Sequence, residues 1–381
     1  MNIFIIGSDK TLVGQKGIGD APFRHAKYGE YVNHIDILIY TNNREGRKNF
    51  PISSNVLGLP SNSLAKPFLF FDALKIFRQV NRNRHIDLII VQDPFFFGLV
   101  GYWLKKRSGA KLIVNFHGDF WGNKFWLKER FLNRLFLPLS YFVVSKADAI
   151  RCVSQAIKSK LIKRGVSDRK IEVIPTSIDL DKFKFKDFEK VEQIKAKFLN
   201  KKLIVFVGRF HPIKNIPFLI KGFSIVKKEL PDTELLLIGD GSEKQKIMSL
   251  VNQLGLKDSV FFAGELPHKD IIDYYYASHV LVLPSFSEGL PKVLTEGGLC
   301  GLPLIAPEAP WSGEIIKDGE NGYLVPIDDA EALADRLVYL LKNDILRDEM
   351  SEKSRILAEK RVSRGVEKLT EFWQKVVNES R

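Results

Sequence analysis

Sulfur is scarce: the 381 residues include two cysteines, Cys152 and Cys300, far apart among apolar neighbours, and only three methionines. So few thiols exclude a disulfide framework and a zinc pattern, and a reducing cytosol is the natural compartment. Long hydrophobic runs are also missing. The longest, near 95–104 and 135–144, fall short of the roughly 18 residues that suggest a spanning helix. The N-terminus has no basic n-region, and Ile3 to Ile6 followed by Gly7 reads as a first strand rather than a signal peptide. Short-period repeats, low-complexity tracts, aromatic-glycine RNA motifs, zinc fingers and helix-turn-helix patterns are all absent, which ranks nucleic acid low as a partner.

Acidic residues are thin in the first half. Residues 1–200 carry 34 Lys and Arg against 18 Asp and Glu, whereas residues 201–381 carry 24 against 27. The basic half suits an anionic membrane surface, or it is a solvated face that aids solubility. A cytoplasmic protein follows, with a peripheral seat at the inner face of a membrane open to it. With 45% apolar and 27% charged residues the chain reads as soluble and globular, and its length exceeds one ordinary core.

Short apolar runs alternate with helical patterns throughout, the mark of βαβ units and parallel sheets. Strands are expected at 2–6, 35–41, 86–92, 111–116, 149–153 and 171–174. A second series is expected at 203–207, 234–238, 260–263, 280–283, 304–306 and 322–325. Their nearly continuous apolar character implies burial on both faces. Two doubly wound α/β domains follow, residues 1–185 and 186–360. The linker is placed at about 178–190, and the charged helical tail, 331–381, has a break near 361–365.

The densest chemistry lies in SFSEGLPKVLTEGGLCGLPLIAP, residues 285–307. Pro284 ends a strand, Gly289 leaves the backbone unhindered, and Pro291 fits a first helical turn. A helix is expected from near Leu290 to about Cys300, its N-terminus offering free N–H groups to phosphate. Glu288 precedes that helix and Glu296 lies within it; taken alone, the pair also fits a capped helix with solvated carboxylates. GRFHPIKN follows another strand, and Arg209 and Lys214 bracket its turn as a clamp for a diphosphate. Gly239 and Gly241 in IGDGSEK make a tight turn with room for a flat base, and FAGELPHKD is a further strand-end turn. In the first half, Gly14, Gly17 and Gly19 follow strand one, where glycines allow close backbone approach or a flexible lid. His117 and Asp119 emerge at the carboxyl end of the fourth strand, where ligands of open α/β sheets bind. Asp179 and Asp181 fit a D-x-D metal pattern but stand in the linker, away from other acids, and read as helix-entry residues.

EGLPKVLTEG, GRFHPIKN, the IGDG and CGLP turns and WSGEIIKDGENGYLVP, in this order, resemble the retaining family 4 glycosyltransferases of the GT-B fold. The resemblance is strong over residues 200–330 and weaker before, where it rests on the glycine loop, His117 and PTSIDLDKF. It implies two Rossmann-like domains facing each other across a cleft, an acceptor-binding one and a donor-binding one, with helix 361–381 returning to the first. The donor would be a UDP- or GDP-sugar, with no cofactor and no metal. Arg209 and Lys214 match the diphosphate-binding cations, Glu288 the acid that contacts sugar hydroxyls, and Glu296 the acid that holds the ribose. Gly208, Gly239, Gly241, Gly289, Leu290 and Pro291 belong to the donor-binding turns, with Gly17 and Gly19 approaching from the first domain. His117 would contact the sugar, and Asp119 stands on the acceptor side. Retention by front-side attack is implied, with the departing phosphate oxygen taking the acceptor proton. The acceptor would be a glycan or a lipid-linked hydroxyl. Residues 124–144, rich in Lys, Arg and aromatics, either lie against a membrane or form the core face of an ordinary helix. Competing readings are a GT-B-shaped sugar-nucleotide epimerase or hydrolase, and a binding protein without catalysis. PTSID in place of the more frequent PNGVD, and HGD in place of adjacent His and Asp, are departures from the family pattern.

Overall fold

The structure, a computed structural model, describes residues 1–15, 20–184, 186–199 and 201–379. It divides into two compact units, 1–177 with 364–381, and 178–363. The divisions thus fall at Ser177/Ile178 and Ser363/Arg364. The stretch read as linker belongs to the second unit: it forms the short helices Asp181–Lys184 and Phe188–Lys197, and Ile178 and Phe183 join that unit's core.

The first unit is built on eight strands: β1 Asn2–Gly7, β2 His34–Ile39, β3 Phe50–Ser53, β4 Val56–Pro60, β5 Leu88–Val91, β6 Lys111–Phe116, β7 Ala149–Cys152 and β8 Ile171–Val173. Their order in the sheet is β3-β4-β2-β1-β5-β6-β7-β8. All neighbours are parallel except β3 and β4, a hairpin absent from the sequence-based expectation. Its outer strand carries Pro51, which an edge strand tolerates because no ladder donor is lost. Gly58 of β4 is required sterically: a Cβ there would lie 1.8 Å from the carbonyl oxygen of Leu12, so the turn Lys10–Val13 rests directly on the strand. The C-terminal helix Gly365–Asn378 buries Leu369, Phe372, Trp373 and Val376 in this unit's core. Trp373 meets Tyr28 edge to face at 5.6 Å, and each such side chain contributes about 1.5–3 kcal/mol of burial. Arg364, in the left-handed region at φ 56°, makes the break that sets this helix apart from Asp344–Val362.

The second unit holds β9 Lys202–Val207, β10 Thr233–Ile238, β11 Val260–Gly264, β12 Val280–Val282, β13 Leu304–Pro307 and β14 Gly322–Val325, in the order β11-β10-β9-β12-β13-β14. Every pairing is parallel. The apolar runs of β9 and β10 are buried almost end to end, as helices on both faces require. In each sheet the order reverses direction at one strand, β1 between β2 and β5, and β9 between β10 and β12. The crevice beyond the carboxyl ends of the strands at such a switch point is where open α/β sheets bind ligands.

Candidate active site

The loops leaving β9, β10 and β12 are tied to one another. Gly208 N donates to Ile238 O at 3.0 Å, Phe210 N to Asp240 O at 2.8 Å and Glu243 N to Phe210 O at 3.1 Å. Only glycine fits at two of these positions. A Cβ on Gly239, at φ 138°, would lie 2.1 Å from Gly208 O, and one on Gly241, at φ 156°, 2.4 Å from Phe210 O. The third loop is joined by Phe286 N donating to Ile213 O at 2.9 Å. That bond brings Lys214 and Glu288 together, with Nζ 2.5 Å from Oε1 and both side chains largely shielded. Arg209, by contrast, is exposed and has no hydrogen bond or ion pair among the described residues. The result is one free guanidinium flanking a neutralised Lys–Glu pair.

The helix after Glu288 spans Lys292–Leu299, with Pro291 as its N-cap. It begins two residues later than expected, because Pro291, at ψ 114°, is extended rather than in the first turn. Gly289 and Leu290 therefore lie in the loop, and Leu290 packs against the core. Two glycines in a helix interior are unfavourable in themselves, yet a Cβ on Gly297 would meet Leu281 of β12 at 2.4 Å, and one on Gly298 would meet Ala358 at 3.1 Å. They let the helix press onto the sheet and onto Asp344–Val362. Glu296 is buried at 4% exposure. His268 Nε2 donates to its Oε1 at 3.0 Å, and the Tyr275 hydroxyl to its Oε2 at 3.4 Å. Burial and the Glu296 charge together push the Tyr275 hydroxyl's pKa well up, so it remains a donor. Neither His268 nor Tyr275 was marked by the sequence; the FAGELPHKD turn was the available signal for the first.

In the first unit a cavity of about 250 Å3 opens at the β1/β5 switch point, lined among others by Gly7, Gln92 and His117. Gln92 Oε1 accepts from His117 Nε2 at 2.7 Å and from Asn115 Nδ2 at 3.2 Å. His117 is solvent-accessible but closely surrounded by protein. Desolvation, then the Arg151 and Arg24 charges, lower its pKa to about 3, so the ring is neutral and its Nδ1 is an open acceptor. Asp119 does not line the cavity: its Oδ2 is 2.5 Å from Lys160 Nζ, and its carbonyl accepts from Asn123 Nδ2 at 2.8 Å. Gly17 and Gly19 lie outside the described residues. Gln92, Arg24 and Arg151 were not singled out from the sequence, although Arg151 stands out as a charge within an apolar strand, AIRC.

Asp179 and Asp181 face lysines, Lys182 Nζ 3.9 Å from Asp179 and Lys184 Nζ 2.8 Å from Asp181. Among the described residues no group of three or more His, Cys, Asp or Glu could hold a metal ion. The helices Lys124–Glu129 and Phe131–Lys146 turn Asn133, Ser140, Val143 and Val144 inward while leaving Phe131, Leu132 and Leu135 more than half exposed. No helix among the described residues is long and apolar enough to cross a membrane.

Anabaena HepE, solved in complex with UDP and glucose, superposes with a TM-score of 0.80 at 17% identity, covering 98% of this chain and all of that one. The two α/β units thus make up the GT-B fold of glycosyltransferases. Residues 187–356 match the glycosyl transferases group 1 family, and residues 33–182 match Glycosyltransferase Family 4; the chain is a glycosyltransferase of this group 1, family 4 type. Relatives include N-acetyl-alpha-D-glucosaminyl L-malate synthase of Bacillus anthracis, 24% identical over 73% of this chain and 71% of that protein. Another is the N-acetylgalactosamine-N,N'-diacetylbacillosaminyl-diphospho-undecaprenol 4-alpha-N-acetylgalactosaminyltransferase of Campylobacter jejuni, 26% identical over 77% of each chain.

Proposed function

We propose that the protein is a metal-independent, retaining hexosyltransferase that moves a sugar from a nucleotide diphosphate sugar to a hydroxyl acceptor, in the synthesis of a cell-surface polysaccharide or glycolipid. The observation that carries this reading is the Lys214–Glu288 pair at 2.5 Å beside the unpaired Arg209, on loops leaving the β9/β12 switch point. Cleavage of the bond from anomeric carbon to phosphate leaves charge on the diphosphate. Arg209, Lys214 and the N–H groups at the start of Lys292–Leu299 stabilise that charge, and such preorganised donors typically contribute the largest share of catalysis. Glu288, already spent on Lys214, suits a sugar-hydroxyl contact better than nucleophilic attack, which agrees with front-side attack and retention. The lone pairs that His268 and Tyr275 leave free on Glu296 take the ribose hydroxyls. Neutral His117, in the first unit that serves the acceptor, accepts a hydrogen bond from a hydroxyl at Nδ1, while Asp119 positions its loop through Lys160. UDP is the first nucleotide to test, since HepE was solved with it. The test is a panel of UDP- and GDP-sugars scored for nucleotide release with and without acceptor, and for the anomeric configuration of the product by proton NMR. Acceptor-dependent release with retained configuration, unchanged by EDTA, is expected. Release independent of acceptor points instead to a hydrolase or epimerase, and binding without release to a protein with no catalysis.

A peripheral seat on anionic membrane is a second part of this reading. Exposed Phe131, Leu132 and Leu135 stand beside Arg130 and Arg134, an apolar set with a basic rim that suits acidic headgroups. Co-sedimentation with phosphatidylglycerol vesicles should be strong at low salt and fall as salt rises; absence of binding at low salt refutes it.

A further inference from the structure

The cavity of the first unit holds a buried cation with which no carboxylate pairs among the described residues. Arg151, at 5% exposure, spends Nε on the carbonyl of Ile174 and Nη2 on that of Pro175, each at 3.0 Å. No carboxylate pairs with it among the described residues. A buried cation without an anion is expensive, because the apolar walls supply no counter-charge. A second guanidinium, Arg24, lines the same cavity, and its Nε bonds Asp20 Oδ1 at 3.0 Å. The other nearby carboxylate, Asp9, accepts from the Thr11 backbone and hydroxyl at 3.1 and 2.7 Å. Asp20 is thus paired with Arg24, while Asp9, which also lines the cavity, is held by Thr11 and makes no ion pair with Arg151.

Three of the remaining polar groups of the cavity offer hydrogen-bond acceptors. Asn115 is 3% exposed, and its Oδ1 has no partner. His25 uses Nδ1 on the carbonyl of Ala21 at 2.7 Å, and neutral as it is, it leaves Nε2 as an acceptor. His117 likewise offers Nδ1. A ligand that satisfies this set carries an anionic group for the guanidinium and hydroxyl protons for the three acceptors. The volume, about 250 Å3, is several times the roughly 30 Å3 share of one water, so a small polyol acid fits.

We propose that this cavity binds an anionic hydroxyl compound, its phosphate or carboxylate at Arg151 and Arg24 and its hydroxyls at Asn115, His25 and His117. The proposal rests on the reading that the first unit serves the acceptor, and it narrows the acceptor to a charged alcohol rather than a neutral sugar.

The test is calorimetric titration of the full chain with glycerol 3-phosphate, D-glycerate and glycerol, which share one skeleton and differ in charge. Wild type should bind at least one charged probe and not glycerol. The stronger of the two tells phosphate from carboxylate. Arg24→Gln, at a partly exposed position, should weaken that probe roughly 10-fold or more, as loss of a charge-assisted contact does, while UDP affinity stays within about twofold. Arg151→Met, checked for folding by circular dichroism, should abolish probe binding; if it fails to fold, Arg24→Gln carries the test. The proposal is overturned if neither charged probe binds, if glycerol binds as well, if Arg24→Gln leaves binding intact, or if UDP displaces the probe and suffers equally from Arg24→Gln. Failure of wild type to bind UDP sinks the donor reading alone, because the probe titration is independent of it.

Discussion

The pairing of Lys214 with Glu288 sets up a competition that can be measured. In the unliganded protein the ammonium is 2.5 Å from the carboxylate, with side chains only 19% and 15% exposed. A diphosphate arriving at the loop must share that lysine with Glu288 and also meets the carboxylate's own charge. Glu288→Gln keeps the side chain's size and removes the charge, so it should tighten UDP. One unit charge removed a few ångströms away, in a partly shielded site, is worth about 1 kcal/mol, or roughly fivefold in affinity. Transfer should nonetheless fall, because the neutral amide holds the lysine and the sugar hydroxyl less firmly than the carboxylate does. Lys214→Met should do the reverse to binding and cost about 100-fold or more in turnover, the usual loss for a donor aimed at developing charge. In stability, each single change strands its partner at a cost of about 1–3 kcal/mol. The double variant should cost less than the sum, by a coupling of about 1.5 kcal/mol or more. Isothermal titration with UDP gives the affinities, urea denaturation the stabilities, and nucleotide release the rates. Weaker UDP binding by Glu288→Gln, or additive stabilities, would refute the reasoning, since either means that the pair is not shared with the diphosphate.

Further outcomes are expected elsewhere. Gly239→Ala places a Cβ at φ 138° and 2.1 Å from Gly208 O; strain and overlap together should cost about 3 kcal/mol or more. Gly264→Ala, at φ 72° with nothing within 4 Å, should cost about 1 kcal/mol, and equal losses in thermal scans would contradict the steric account. Arg209→Ala should leave the melting temperature unchanged, as its guanidinium has no partner among the described residues, yet slow transfer about 100-fold; a stability loss would show an overlooked structural role. Burial, then Arg24, lowers the His25 pKa to about 4, so between pH 6.5 and 4 the unfolded chain takes up a proton that the folded one refuses. Stability should therefore fall as pH drops through that window, with a slope approaching about 1.4 kcal/mol per unit from this group. His25→Asn should flatten the slope in urea titrations at pH 7, 6 and 5, and an unchanged slope would exclude His25 as its source.

What could be read from the sequence follows a physical divide. Strands buried on both faces announce themselves as continuous apolar runs, so most of the parallel strands of both sheets were legible, as was the placing of His117 and Arg209 at strand ends. The β3/β4 hairpin was not, because Pro51 and Gly58 erase local strand character, and the reason they are tolerated lies in the sheet edge and in the turn above Gly58. The start of Lys292–Leu299 was misplaced because a proline fits either the cap or the first turn, and ψ decides between them. Partnerships are a different matter. Lys214 and Glu288 are joined by the order β9-β12, and Gln92 reaches His117 and Asn115 through the order β5-β6; strand order is a property of the whole sheet and leaves no local trace. Arg151 is the instructive exception. Within a strand whose neighbours are all buried, a guanidinium must be buried too, and a buried cation needs either an anion from the fold or one from outside. AIRC alone poses that question, and the carbonyls of Ile174 and Pro175, which solvate the cation without neutralising it, leave it to a ligand.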